Sequence, residues 1–131
     1  MKFLEPYRSQ ILSLLRIMSG LLFLQHGTTK YLSIPVSPMS NVSVQTLGGA
    51  AGIIELICGV LLVLGLFTRP AAFVASGMTA VAYFMAHAGR GFYPILNGGE
   101  LAALYSFAFL YLAAAGGGAW SLDNVMAGRK A

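Results

Sequence analysis

The sequence predicts an all-α polytopic membrane protein, a bundle of four transmembrane helices with little chain outside the bilayer. Three observations lead there. Hydrophobic residues make up 57% of the 131 residues and charged residues only 9%, with a mean hydropathy of +0.76. A soluble domain carries roughly 25% charged residues, so this composition is matched to lipid rather than water. The apolar residues also fall into four runs, each near the ~20 residues that span a bilayer. Helices are the default spanning structure, because no backbone polar group can go unsatisfied in hydrocarbon. A β-barrel would need repeated short alternating strands, which these unbroken runs do not supply. The length makes this a single domain covering residues 1–131.

The first run, residues 11–29, follows Lys2 and Arg8 and superficially resembles a signal peptide. Arg16 lies inside it and no small-residue cleavage site follows, so it reads as a retained first helix. The second run, 46–67, is reached through a loop at 31–45 carrying Pro35 and Pro38, which lies along the interface or dips back into the membrane. A tight break at Thr68-Arg69-Pro70 then forces the third run, 71–88, into an antiparallel hairpin with the second. A link with Arg90, Tyr93, Pro94 and Asn97 leads to the fourth run, 99–115, which ends in glycines 116–118.

Eight Lys and Arg against four acids give a net charge of +4. The basic residues are scattered singly near segment ends, which indicates membrane topology and not nucleic acid. Lys2, Arg8, Arg69, Arg129 and Lys130 share one side, against Lys30 and Arg90 on the other, so both termini are expected in the cytoplasm. The expected location is the inner (plasma) membrane. Tyr7, Tyr31, Tyr93 and Trp120 fall near the boundaries, where an aromatic belt belongs. The single cysteine, Cys58, excludes an intrachain disulfide and reads as a small packing residue.

Ionisable residues inside spans carry the functional information. Arg16, Gly20, Phe23, Gly27 and Lys30 follow steps of four, three, four and three, forming one helical stripe with His26 at its edge. Gly48, Gly52, Glu55 and Gly59 form a second stripe, whose small residues allow close helix contact and place Glu55 inside the bundle. Arg16 and Glu55 are expected at nearly the same depth, hence as an ion pair. Such a pair is either a clamp fixing register or part of a ligand or proton site. Toward the outer side, His26, Lys30, His87, Asn97 and Glu100 share one membrane level. They suit a polar head group such as a quinone carbonyl, with His26, His87 and Glu100 exchanging protons and Lys30, Asn97, Arg16 and Glu55 binding. Histidine fits that role because its unperturbed pKa is about 6.5. Taken singly each has a plainer explanation: Glu100 favours a helix N-terminus, and Lys30 can reach the interface. No metal is expected, since neither HxxxH nor ExxH occurs on any one helix.

Over nearly its whole length the chain resembles DoxX-type membrane proteins. The resemblance rests on Leu15-Arg16 followed by Gly20-Leu21-Leu22-Phe23, on His26-Gly27-Thr28-Thr29-Lys30, and on Gly52-Ile53-Ile54-Glu55 with Gly59. It continues through Leu64-Gly65-Leu66-Phe67-Thr68-Arg69-Pro70-Ala71, then His87 to Asn97-Gly98-Gly99-Glu100, and Trp120-Ser121-Leu122-Asp123. It implies a four-helix inner-membrane protein of a group described as oxidoreductases. Related DoxD-type proteins are a membrane subunit of a thiosulfate:quinone oxidoreductase, and other relatives accompany soluble redox or detoxification enzymes. Distant relatives using thiol chemistry carry cysteine pairs, which this chain lacks.

The resulting expectation is a quinone-interacting subunit of a membrane-associated oxidoreductase. It has no evident motif for haem, flavin or an iron–sulfur cluster, so electrons come from a partner or a reduced substrate. The alternatives are a non-catalytic anchor or assembly subunit and a small-solute or lipid-binding transporter. Expected partners are the bilayer and either further copies of the chain or a soluble or membrane redox protein.

Overall fold

The structure is a computed structural model describing residues 1–128; Arg129 and Lys130, used in the orientation reading, lie outside the described residues. Among the described residues all regular structure is helical. A 3-10 turn, Lys2–Tyr7, leads into α1, Arg8–Leu32. Then come α2, Leu47–Leu64, and α3, Thr68–Ala82, which continues through a π turn, Tyr83–His87, and a 3-10 turn, Ala88–Arg90. A single turn, α4 (Pro94–Asn97), precedes α5, Glu100–Ala115, and a short α6, Leu122–Met126, closes the described chain.

The hairpin break falls slightly earlier than Thr68-Arg69-Pro70. Gly65 takes a left-handed φ of 70° after α2, and Leu66 N–H bonds back to Leu61 O at 2.9 Å, a glycine-terminated helix end. Thr68 already belongs to α3, and Pro70 sits in its first turn, where a missing N–H removes no helical bond. Three helical stretches are long and apolar enough to cross a membrane: Lys2–Leu32, Leu47–Leu64 and Thr68–Arg90. With 16 residues, α5 is apolar but shorter, about 24 Å at ~1.5 Å per residue.

In packing, α1 lies mainly on α2 and α3 mainly on α5, with α2 against α3 joining the halves. Glycines set the first contact. A Cβ on Gly59 would stand 2.8 Å from Leu24 Cα, and one on Gly27 would stand 2.8 Å from Leu56 N, so each glycine is a notch filled by the other helix. Phe23, Tyr105 and Phe109 form the aromatic centre; Phe23 meets Phe109 edge-on at 5.0 Å, and Tyr105 stacks on Phe109 at 5.3 Å. Polarity runs inside out. Ser13, Arg16, Ser19, Lys30 and Glu55 are buried while Leu14, Met18, Leu21, Phe73 and Phe107 are exposed, which suits a hydrocarbon exterior.

Candidate functional site

The α1 stripe anticipated from spacing is buried throughout, and it delivers its two charges to opposite ends of the bundle. At the end away from the chain's start, Lys30 Nζ lies 2.8 Å from Glu55 Oε2 and 3.0 Å from Oε1. Both residues are buried. Gly52 makes the pair possible: a Cβ there would stand 3.1 Å from Lys30 Cδ and 2.7 Å from the Tyr31 ring. Tyr31 OH donates to Gly49 O at 2.6 Å, fixing α1 to the start of α2.

Two further polar groups close in on this pair. His26 Nε2 and Tyr105 OH are both enclosed without a hydrogen-bond partner among the described residues. Their rings meet edge-on at 6.3 Å, and Glu55 is close enough to act electrostatically on both. A buried polar group left unpaired costs roughly 1–3 kcal/mol, so each is a hydrogen-bonding group that the bundle leaves unused. Tyr105 was not anticipated. It lies in a run that is apolar on every side, so periodicity does not reveal its inward face.

The other outer residues gather separately. Asn97, 1% exposed, donates through Nδ2 to Tyr83 OH at 3.1 Å and Gly91 O at 3.0 Å, and its Oδ1 accepts from Gly99 N. His87 Nδ1 donates to Asn97 O at 3.2 Å. These bonds hold the corner between the π turn and α5. Glu100 opens α5 on the exposed surface, where its charge suits the helix dipole, and makes no hydrogen bond or ion pair among the described residues. The five-residue cluster is therefore divided: His26 and Lys30 join Glu55 and Tyr105, His87 joins Asn97, and Glu100 stands apart.

The expected Arg16–Glu55 pair is not formed. Gly20 faces Leu62 and Val63 while Gly27 faces Leu56, and this antiparallel register sets Arg16 and Glu55 about three helical turns apart. Arg16, wholly buried, instead donates to four carbonyls: Gly117 O at 2.8 Å, Leu62 O at 2.6 Å, Val63 O at 2.8 Å and Trp120 O at 2.5 Å. Two of these are carbonyls of the last turn of α2, where a helix leaves acceptors open to outside donors; Leu62 O shares its other lone pair with the Gly65 N–H at 3.2 Å. Asp123 complements this group, accepting Phe67 N–H at 2.8 Å and Thr68 N–H at 2.9 Å, the first donors of α3. Burial alone would raise the Asp123 carboxyl, but hydrogen bonds from Thr68 and Phe67 and the nearby Arg16 guanidinium outweigh it and hold the group below its ordinary value. Nearby, Arg69 Nη1 donates to Ala113 O and Ala114 O at the end of α5. The hydrogen bonds of Arg16, Arg69 and Asp123 thus tie helix ends and chain turns together.

The sequence profile of the DoxX family matches residues 11–88. An uncharacterised protein of Haemophilus influenzae is 50% identical over 126 residues, covering 92% of this chain and 94% of that protein. No solved structure matches.

Proposed function

The chain belongs to the DoxX family, and from that premise we propose that it is a quinone-interacting subunit of a membrane-associated oxidoreductase, binding the head group beside the Lys30–Glu55 pair. The observation that carries this reading is the side-by-side enclosure of His26 Nε2 and Tyr105 OH without partners. A phenol and an imidazole can each donate to a quinone carbonyl or accept from a quinol hydroxyl. The fit is in the donor set: two neutral groups able to reverse their hydrogen bonds, next to a buried ion pair that supplies a fixed field. When bound, a quinone would supply two-electron, two-proton chemistry, with electrons arriving from a partner protein or a reduced substrate. His26 is the residue positioned to pass a proton at Nε2, and Tyr105 the one to orient the ring. His87 and Asn97 shape the corner above, and Glu100 remains at the surface as a proton-exchanging group.

In this reading α4 and α5 together make the fourth crossing, with the start of the chain and the α2–α3 turn in the cytoplasm. Pairing of Lys30 inside the bundle leaves Arg90 as the exposed basic residue of the opposite loops, while Lys2, Arg8 and Arg69 stay exposed at the first end. The inner membrane is the proposed location, and the apolar exterior leaves room for a redox partner or further copies of the chain.

Quinone titration of the protein in lipid nanodiscs tests the site. Saturable binding should weaken about tenfold in His26→Gln and in Tyr105→Phe, the value of roughly one hydrogen bond, and should be unchanged in Glu100→Gln. Absence of saturable binding by the folded wild type would sink the proposal and leave an anchoring role.

A further inference from the structure

At the end of the bundle opposite the Lys30–Glu55 pair lies an open cavity of about 460 Å³, walled by Ser9, Thr68, Arg69, Ser121, Asn124 and the glycines at 116–118. That volume falls within the range of small-ligand sites. Arg69 is held in place on its wall, because Nη1 is bonded to the carbonyls of Ala113 and Ala114. The other edge of the guanidinium, Nε with Nη2, makes no hydrogen bond among the described residues. It faces Gly116, where an added Cβ would stand 3.3 Å from Nη2 and 3.5 Å from Nε. This edge is the fork that grips phosphate and carboxylate oxygens through two parallel bonds. On the same wall the Thr68 hydroxyl is wholly buried, near the Asp123 carboxylate but without a hydrogen bond of ordinary geometry among the described residues.

We propose that this cavity binds a phosphate group, gripped by the Nε–Nη2 edge of Arg69 with the Thr68 hydroxyl as a second donor. Asp123 shares the cavity without blocking it, since its two oxygens already accept the N–H groups of Phe67 and Thr68 and the Arg16 guanidinium lies near. Lys2, Arg8 and Arg69 are exposed at this end with Arg16 buried behind them, against Glu5 and Asp123, so the net charge around the cavity is positive and favours an anion. Two sources carry the same chemistry: the head group of an anionic phospholipid in the adjoining leaflet, or a phosphate free in solution.

The test is native mass spectrometry on delipidated protein in detergent, titrated in separate arms with phosphatidylglycerol and with inorganic phosphate. One saturating adduct is expected, weakened about tenfold in Arg69→Lys, which keeps the charge and loses the fork, and weakened less in Thr68→Val. The lipid arm alone responding identifies a head group, and the phosphate arm alone identifies a free anion. A second measurement needs no variant: phenylglyoxal modification of Arg69 in phosphatidylcholine nanodiscs should slow several-fold when phosphatidylglycerol is included or inorganic phosphate is added. No adduct in either arm, adducts indifferent to Arg69→Lys, or unchanged modification of Arg69 under both anions would overturn the proposal.

Discussion

Lys30 and Glu55 meet through both carboxylate oxygens, Nζ at 3.0 and 2.8 Å, in a bundle that exposes many large apolar side chains. Neither charge could remain there alone. Replacing Lys30 by Met should lower stability by about 3–5 kcal/mol, because Glu55 is left buried without its partner. Adding Glu55→Leu to that variant should recover most of the loss. Denaturant unfolding in detergent measures both, and equal stability of the single and double variants would contradict the pair's mutual dependence.

Tyr105→Phe should act in the opposite direction. The hydroxyl is buried and unpartnered, so its removal should raise stability by about 1 kcal/mol in the absence of ligand. Combined with weaker quinone binding, this would be the signature of a group kept for recognition at the expense of the fold. Thermal unfolding followed by circular dichroism provides the comparison.

Arg16→Lys should destabilise the protein by about 2–4 kcal/mol. An ammonium has no planar fork and cannot reach carbonyls of Leu62, Val63, Gly117 and Trp120 at once. A shift within experimental error would mean that these carbonyls find other donors.

Asp123 gives stability a pH dependence of known sign. Its carboxyl titrates lower in the folded protein than in the unfolded chain, whose value is about 3.9. The stabilisation is therefore present above that value and is lost as pH falls through it toward the folded pKa. Unfolding midpoints measured from neutral to acidic pH should fall in the wild type across this window and fall less in Asp123→Asn.

The glycines divide into two classes. Gly59→Ala drives a methyl to 2.8 Å from Leu24 Cα and should cost about 1–3 kcal/mol by forcing α1 from α2. Gly77→Ala meets nothing within 4 Å and should be neutral or slightly stabilising. Equal effects would show that the α1–α2 contact is looser than described.

The helices were legible in the sequence because hydropathy, length and glycine punctuation all point the same way for each span. The interior stripes were legible too, since Gly20, Phe23, Gly27 and Lys30 repeat with the helix. The pairing of charges was not. It depends on the register between α1 and α2, and the glycine notches at 20, 27, 52 and 59 decide that register only when it is known which side chain fills each one. The tilt of helical side chains toward the N-terminus then sends Lys30 and Glu55 toward one another across the antiparallel pair. Tyr105 was missed, and Asp123 was seen only as part of a motif without a role, for different reasons. One lies in a helix apolar on all faces, and the other acts through backbone N–H groups 55 and 56 residues away.

The reach of Arg16 has a consequence for how the protein is made. Its last acceptor, Trp120 O, is 104 residues further along the chain. At ~5–20 residues per second, the ribosome takes on the order of 5–20 s to deliver that carbonyl after Arg16 itself has been added. Through that interval a guanidinium destined for the interior has to be sheltered by water, lipid head groups or the insertion machinery. Bundle closure is thereby deferred until Trp120 has been made, and a nascent chain truncated before residue 117 should remain open to extraction and proteolysis.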